Sequence, residues 1–385
     1  MLRPRTFPIV LAGFTAFLDL YATQPLLPLL MRVFKATHFA VSLTVTASTV
    51  AVALAAPVVG RLADLVGRKR VIVGSAFMLT AATGLAATST SLGQFVGWRF
   101  VQGLATPGIF AITIAYVHDE WPKSYVGRAT AAYVSGTVIG GFCGRVLVGL
   151  VAADVNWQTA FVALAGVNLA AAVALMLWLP RESRKAAPQT ASHSRSILRL
   201  LKNRQLIATN AVGFCVLFTQ VAMFSYVTFH LSAAPYFLST AQLGWLFVVY
   251  LVGAGVMPFA GHWIDARGHR AGLGSGMALG ATGALLTLTP WLPSIIAGLA
   301  LVGTGVFIAQ AAASSYIGAV TQEDRGLAVG LYSTCYYAGG SVGGALPALF
   351  WVAGGWTACV LLVMAVQAAT VTLALMFWRT LVDSH

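Results

Sequence analysis

The stretch Gly60-Arg61-Leu62-Ala63-Asp64-Leu65-Val66-Gly67-Arg68-Lys69-Arg70 lies between two long apolar runs. It returns later in the chain as Gly261-His262-Trp263-Ile264-Asp265-Ala266-Arg267-Gly268-His269. Gly60, Asp64 and Gly67 each recur 201 positions on. A second register holds for Gly127, Tyr133, Gly140, Gly141, Gly144 and Trp157, which recur 199 positions on as Gly326, Tyr332, Gly339, Gly340, Gly343 and Trp356. Two loops and a long apolar segment repeating at nearly one offset read as a duplication into similar halves. Parallel repeats of this kind place a binding site near the bilayer midplane, where the halves meet.

The chain has 385 residues, of which 58% are hydrophobic and 9% charged. Soluble domains carry about 25% charged residues. A chain this apolar needs lipid as its solvent, and at about 30 residues per crossing, turn included, its length allows twelve crossings. The apolar runs predict spans at 7–33, 40–62, 70–90, 94–118, 124–152, 157–180, 204–231, 240–262, 271–290, 293–319, 326–351 and 356–378. The expected fold is an all-α membrane protein with twelve transmembrane helices in two pseudo-symmetric six-helix bundles. Residues 1–180 form the first bundle, 181–203 a basic linker with the character of a flexible, headgroup-seeking segment, and 204–385 the second bundle.

The net charge of +13 does not point to nucleic acid, because Lys and Arg cluster in the short gaps between apolar runs. With the N-terminus inside, 19 of the 23 basic residues fall in cytoplasmic segments, Arg32 and Lys35 fall outside, and Arg99 and Arg145 lie within spans. This asymmetry predicts both termini in the cytoplasm of a multi-pass inner-membrane protein. Arg3 and Arg5 lead straight into a long span without a small-residue cleavage site, so no cleaved signal peptide is expected. Cys143, Cys215, Cys335 and Cys359 all sit inside apolar runs without C-x-x-C spacing, as core residues do.

The quoted residues resemble the major facilitator superfamily. Gly60 to Arg70 is similar to its signature between spans 2 and 3. Arg99-Phe100-Val101-Gln102-Gly103 resembles the span 4 signature of the twelve-span drug:proton antiporter branch. Gly136, Gly140, Gly141, Gly144 and Gly149 resemble that branch's glycine motif in span 5, with Arg145 standing where the motif usually has Pro. The resemblance implies that the two signature loops, carried by Gly60, Asp64, Gly67 and Arg68 and by Gly261, Asp265 and Gly268, latch the cytoplasmic side. It further implies that Asp64 bears on the start of span 11 near Arg325, and Asp265 on the start of span 5 near Lys123 and Arg128.

Asp19 is the only acid well inside a span. An ionised carboxylate there costs about 2.5–3.5 kcal/mol on insertion scales, so it needs a partner, water or a proton. Desolvation favours the neutral form of an acid, which suits a group that takes up and releases a proton. Arg99 and Arg145 must face the bundle interior or a cavity, where they can answer Asp19 or an anionic substrate. Gln102 falls on the same helix face as Arg99. Asp19, Arg99 and Arg145 are therefore the candidate proton-coupling residues. Tyr21, Gln24, Gln102, Gln220, Tyr226, Gln310 and Tyr336 are candidates for lining the substrate cavity. Each of these residues also has a purely structural reading, as a satisfied packing group.

His118, Asp119 and Glu120 are adjacent and do not share one helix face, so no metal site is expected. No phosphate-cradling Gly-x-x-x-x-Gly-Lys motif and no hydrolase signature is present. The expectation is no enzyme and no cofactor, with the proton as coupling ion. The expected partners are the lipid bilayer and a small-molecule substrate, with the chain acting as a monomer. The reading that follows is a proton-coupled exporter working by alternating access. Uptake or facilitated diffusion of a sugar or metabolite, a nutrient sensor, and an intramembrane enzyme are the alternatives.

Overall fold

The computed structural model describes residues 6–182, 200, 202–321 and 325–379, with Arg325 described by its backbone only. Arg3, Arg5 and the linker residues Arg184, Lys185, Arg195 and Arg199 lie outside the described residues. All regular structure described is helical, in the order the apolar runs predict.

Span 1 is broken. Pro25 and Pro28 have no N–H to return to the preceding turn. The segment accordingly forms α1 (Phe7–Leu18), one 3-10 turn (Gln24–Leu26) and α2 (Leu27–Val33), with residues 19–23 in a turn between the first two. The next spans are α3 (His38–Val66), α4 (Arg68–Ala86), α5 (Leu92–Glu120), α6 (Lys123–Asp154) and α7 (Trp157–Trp178). The second half runs α8 (Arg204–Ser232), α9 (Thr240–Leu246), α10 (Val249–Arg267), α11 (His269–Leu286), α12 (Leu292–Val320), α13 (Arg325–Ala345) and α14 (Pro347–Phe377). The predicted span at 240–262 is interrupted at Phe247 and Val248, giving α9 and α10. Span 11 continues past α13 into the first turns of α14, and non-helical Gly354 and Gly355 separate it from span 12.

Side-chain caps open several helices where the sequence offers them. Thr37 accepts from the Ala40 amide at 3.2 Å, Ser91 from Gln94 at 3.3 Å and Asn156 from Thr159 at 2.7 Å. Ser239 and Gln242 form a reciprocal capping box on α9. Each such cap satisfies amides that a helix start leaves free. The two signature loops turn on glycines with positive φ, +101° at Gly67 and +86° at Gly268, a conformation that side chains disfavour.

Among the described residues, eight helices are long and apolar enough by themselves to cross a bilayer, with α9 and α10 taken together. The other four crossings are the broken α1–α2, the basic-ended α4, the glycine-rich α11, and α13. α4 and α11 have 19 and 18 residues, about 27–28 Å of helix, which matches a hydrocarbon core of about 30 Å.

The chain forms two compact units, Met1–Gln189 with Leu231–Phe247, and Thr190–His230 with Val248–His385. In the first, Gly136, Gly140 and Gly144 of α6 face the backbone of α1. A Cβ on them would meet the carbonyls of Val10, Phe14 and Leu18 respectively. In the second, Gly339 and Gly343 of α13 meet the carbonyls of Phe214 and Phe218 on α8 in the same way. Small residues thus let helices approach where lipid supplies no hydrophobic drive between them. Phe95 stands edge-on to Trp157 and Phe161, at 5.2 and 5.0 Å, closing one end of the first unit's core. α9 belongs to the same unit. A Cβ at Gly149 would come within 2.8 Å of the Thr240 carbonyl, and one at Gly244 within 2.8 Å of the Arg145 carbonyl.

Filling the α1–α6 crossing is expected to be destabilising. Gly144→Ala should lower stability by about 1–3 kcal/mol, and Gly144→Val should prevent folded protein from accumulating. Thermal unfolding in detergent checks this. Gly127→Ala, where a Cβ meets nothing within 4 Å, should lose no stability.

Candidate functional site

The break in span 1 replaces helical hydrogen bonds by a turn, in which the Asp19 carbonyl accepts from the Ala22 amide at 3.0 Å, and Arg99 of α5 donates to the carbonyls there. Its Nη1 donates to the Asp19 carbonyl at 3.0 Å, its Nη2 to the Leu20 carbonyl at 2.7 Å, and its Nε to the Thr44 carbonyl on α3 at 3.0 Å. Ser48 holds the arginine's own backbone, donating to the Arg99 carbonyl at 3.0 Å. Arg99 is fully buried, and its charge lies at the C-terminal end of α1, where a cation complements the helix dipole.

The Asp19 carboxylate is equally buried but points elsewhere. Oδ1 accepts from the Thr83 hydroxyl on α4 at 2.8 Å, and Oδ2 accepts from Asn168 Nδ2 on α7 at 2.5 Å. Gln102 joins the two sets. Its Oε1 accepts from Arg99 Nη1 at 2.5 Å and its Nε2 donates to the Thr83 hydroxyl at 2.8 Å. Guanidinium, amide, hydroxyl, carboxylate and a second amide thus form one buried chain from four spans. Gln102 lies in this chain, on the face it shares with Arg99, and is 1% exposed.

Arg145 has a different environment. Its Nε donates to Gln24 Oε1 at 2.9 Å and its Nη1 to the Gly141 carbonyl at 2.5 Å. The guanidinium carbon lies 5.1 Å from the Tyr21 ring centre and 4.6 Å from that of Phe247, within cation–π reach of both. Tyr21 and Gln24 therefore meet Arg145, while Asp19 and Arg99 form a separate cluster.

In the second unit, Tyr226 donates to the Gly344 carbonyl at 3.0 Å and Tyr336 to Gln310 Oε1 at 2.5 Å. Gln220 is half-buried. Gln367 of α14 holds the place of Asn168 in the 199-residue register. It is 2% exposed, and both its amide atoms lack a hydrogen-bond partner.

The first signature loop carries an ion pair between Arg68 and Asp119. The amide of Arg68, which opens α4, donates to Glu182 Oε2 at 2.8 Å, and a side chain at Gly67 would collide with that carboxylate. Lys69 Nζ donates to the Leu179 carbonyl at 2.5 Å and Tyr116 to the Pro180 carbonyl at 2.8 Å. Glu182, which the sequence does not single out, thus caps α4, while Asp64 and Asp265 are exposed on their units. Gly60 and Gly261 have open space where a Cβ would stand.

Thr83, Asn168 and Glu182 are the participants missed in the sequence. Asn168 had a signal: it is the one amide or hydroxyl side chain between Ala160 and Leu177.

The sequence profile described as Major Facilitator Superfamily matches residues 9–240 and 231–385. The Bacillus subtilis uncharacterised MFS-type transporter YybF is 32% identical over 357 residues, covering 92% of this chain and 88% of the relative. The Escherichia coli inner membrane transport protein YnfM is 32% identical over 356 residues, covering 91% and 85%. A crystal structure of the nucleoside transporter NupG superposes with a TM-score of 0.79 at 12% identity, over 97% of this chain and all of that one. The chain belongs to the major facilitator superfamily and is a multi-pass membrane transporter.

Arg99 is expected to act through geometry as well as charge. Arg99→Lys keeps the cation but cannot reach three carbonyls in one plane. It should lose several kcal/mol of stability, at roughly 1.5–3 kcal/mol per charged hydrogen bond. Thermal unfolding of the Lys and Leu variants reads this. A Lys variant as stable as the wild type would show that charge alone suffices.

Proposed function

We propose that this transporter exports small organic molecules by proton-coupled alternating access, with Asp19 as the proton carrier. The observation that carries the reading is the set of groups on the Asp19 carboxylate. Both oxygens accept from neutral donors, Thr83 and Asn168, while the nearest guanidinium is engaged with backbone carbonyls. A carboxylate held this way can gain or lose a proton without breaking a direct ion pair. In the bilayer interior, ionisable groups are by default functional.

Export is supported by the resemblance of Arg99 to Gly103 and of the α6 glycines to antiporter signatures. Arg145 marks the departure from that pattern. Tyr21, Gln24, Gln220, Tyr226, Gln310 and Tyr336 are assigned to contact with substrate. Gln102 is assigned to the same cavity, on the side where it bonds to Arg99 and Thr83. The loops at Gly60, Asp64, Gly67 and Arg68 and at Gly261, Asp265 and Gly268 are assigned to gating. Drug-like compounds, sugars and metabolites all fit the composition of these side chains. The basic loops support cytoplasmic termini, and the name of the E. coli relative supports an inner-membrane location. The chain is assigned as a monomer whose coupling ion is the proton, without a further cofactor.

A thermal-shift screen on purified protein identifies a substrate, and flux in liposomes with and without a pH gradient then tests coupling. Asp19→Asn should lose at least about tenfold of the pH-driven flux, equivalent to about 1.4 kcal/mol, while its melting temperature stays near that of the wild type. If flux in this variant remains fully pH-driven, Asp19 is not the carrier. Inside-out vesicles that accumulate substrate when acidified inside support export.

A further inference from the structure

We propose that Asn168 is a positioning residue whose side-chain amide turns over as Asp19 is protonated, so that Oδ1 replaces Nδ2 opposite Asp19 Oδ2. The inference rests on the reading of Asp19 as proton carrier and adds the group that accommodates the proton.

An ionised carboxylate only accepts hydrogen bonds, whereas a protonated one must also donate. In a span there is no bulk water to absorb that change, and an unpaired polar group costs several kcal/mol. Some neighbour of Asp19 must therefore change role with it. Arg99 is donor-only and is spent on the carbonyls of Asp19, Leu20 and Thr44. The Thr83 hydroxyl already accepts from Gln102, and its single proton serves both Asp19 Oδ1 and the Leu79 carbonyl, 2.7 Å away. Asn168 donates through Nδ2, while its Oδ1 is buried without a partner and the whole residue is inaccessible. Rotation about the terminal side-chain bond turns that spare acceptor toward Oδ2. The proton adds to Oδ2, its O–H donates to Asn168 Oδ1, and Thr83 continues to donate to Oδ1 of the acid. One proton enters, one negative charge disappears and no covalent bond in Asn168 changes.

The ionisable groups around Asp19 do not offer a rival acceptor. α5 brings Arg99, α6 brings Arg145 and the Tyr133 phenol that lies against Gly13, and span 1 itself brings Tyr21. α4 brings Thr83, with Arg68, Lys69 and Arg70 about 20 Å or more along the helix from it. α7 brings Asn168 and has no charged residue between Trp157 and Trp178.

Acid-minus-neutral infrared difference spectra of purified protein carrying carbon-13 asparagine test the idea, with Asn168→Leu assigning the band. On acidification the protonated-acid carbonyl band of Asp19 should rise. The Asn168 amide carbonyl should move to lower wavenumber as it begins to accept, and Asp19→Asn should abolish both changes. An Asp19 band that rises while the Asn168 band stays still overturns the inference and leaves Asp19 as carrier. No Asp19 band at any pH overturns both. In liposomes, Asn168→Leu should move the pH midpoint of flux by about one unit or more. An unchanged pH profile also overturns the role. If the Leu variant does not fold, Asn168→Ser, whose hydroxyl both donates and accepts, takes its place and should show a smaller shift of the same kind.

Discussion

Lipid offers no hydrogen bonds, and most of this structure follows from that one constraint. A helix break in water is solvated at little cost; in a bilayer each freed carbonyl must find a donor in the protein. Span 1 leaves the helix at Asp19 for a turn that runs to the two prolines, and the planar fork of Arg99 reaches the carbonyls of Asp19 and Leu20 there while its third nitrogen holds α3. The same break turns the Asp19 side chain toward α4 and α7. The buried carboxylate and the structural repair of the helix are thus two sides of one local feature. Gln102 links them, since it touches the arginine with one end and the threonine of the carboxylate with the other.

The second consequence is close backbone approach. With no hydrophobic gain from helix association in lipid, contact area and backbone proximity must hold spans together. The α6 glycines bring α6 onto the carbonyls of α1, and the α13 glycines do the same to α8. The duplication visible in the sequence is therefore a duplication of a contact. The polar relay is not duplicated with it. Position 367 keeps a buried amide, but its hydrogen-bonding groups are unpaired, unlike the Asn168 amide nitrogen.

The fold was legible because the hydrophobic period and the basic loops are strong signals spread over the whole chain. The charged members of the site were legible for the opposite reason: Asp19, Arg99 and Arg145 stand alone in apolar runs. Gln102 could be placed beside Arg99 from helical spacing. Thr83 and Asn168 could not be assigned, because a single neutral polar residue in a span satisfies itself on its own helix as readily as it joins a network. The division between Asp19–Arg99 and Arg145–Tyr21–Gln24 was also hidden, since it depends on which way the chain turns at the break. The capping of α4 by Glu182 joins residues 114 positions apart, and the glutamate lies past the end of span 6, where periodicity carries no information.

That capping contact has a mechanical side. The chain leaving span 6 is fastened at three successive points, Leu179 by Lys69, Pro180 by Tyr116 and Glu182 by the first amide of α4. The end of span 6 is thus moored to the Gly67 corner. A displacement at the end of span 6 would be felt first at that corner, as a pull on a rope reaches its cleat before the mast.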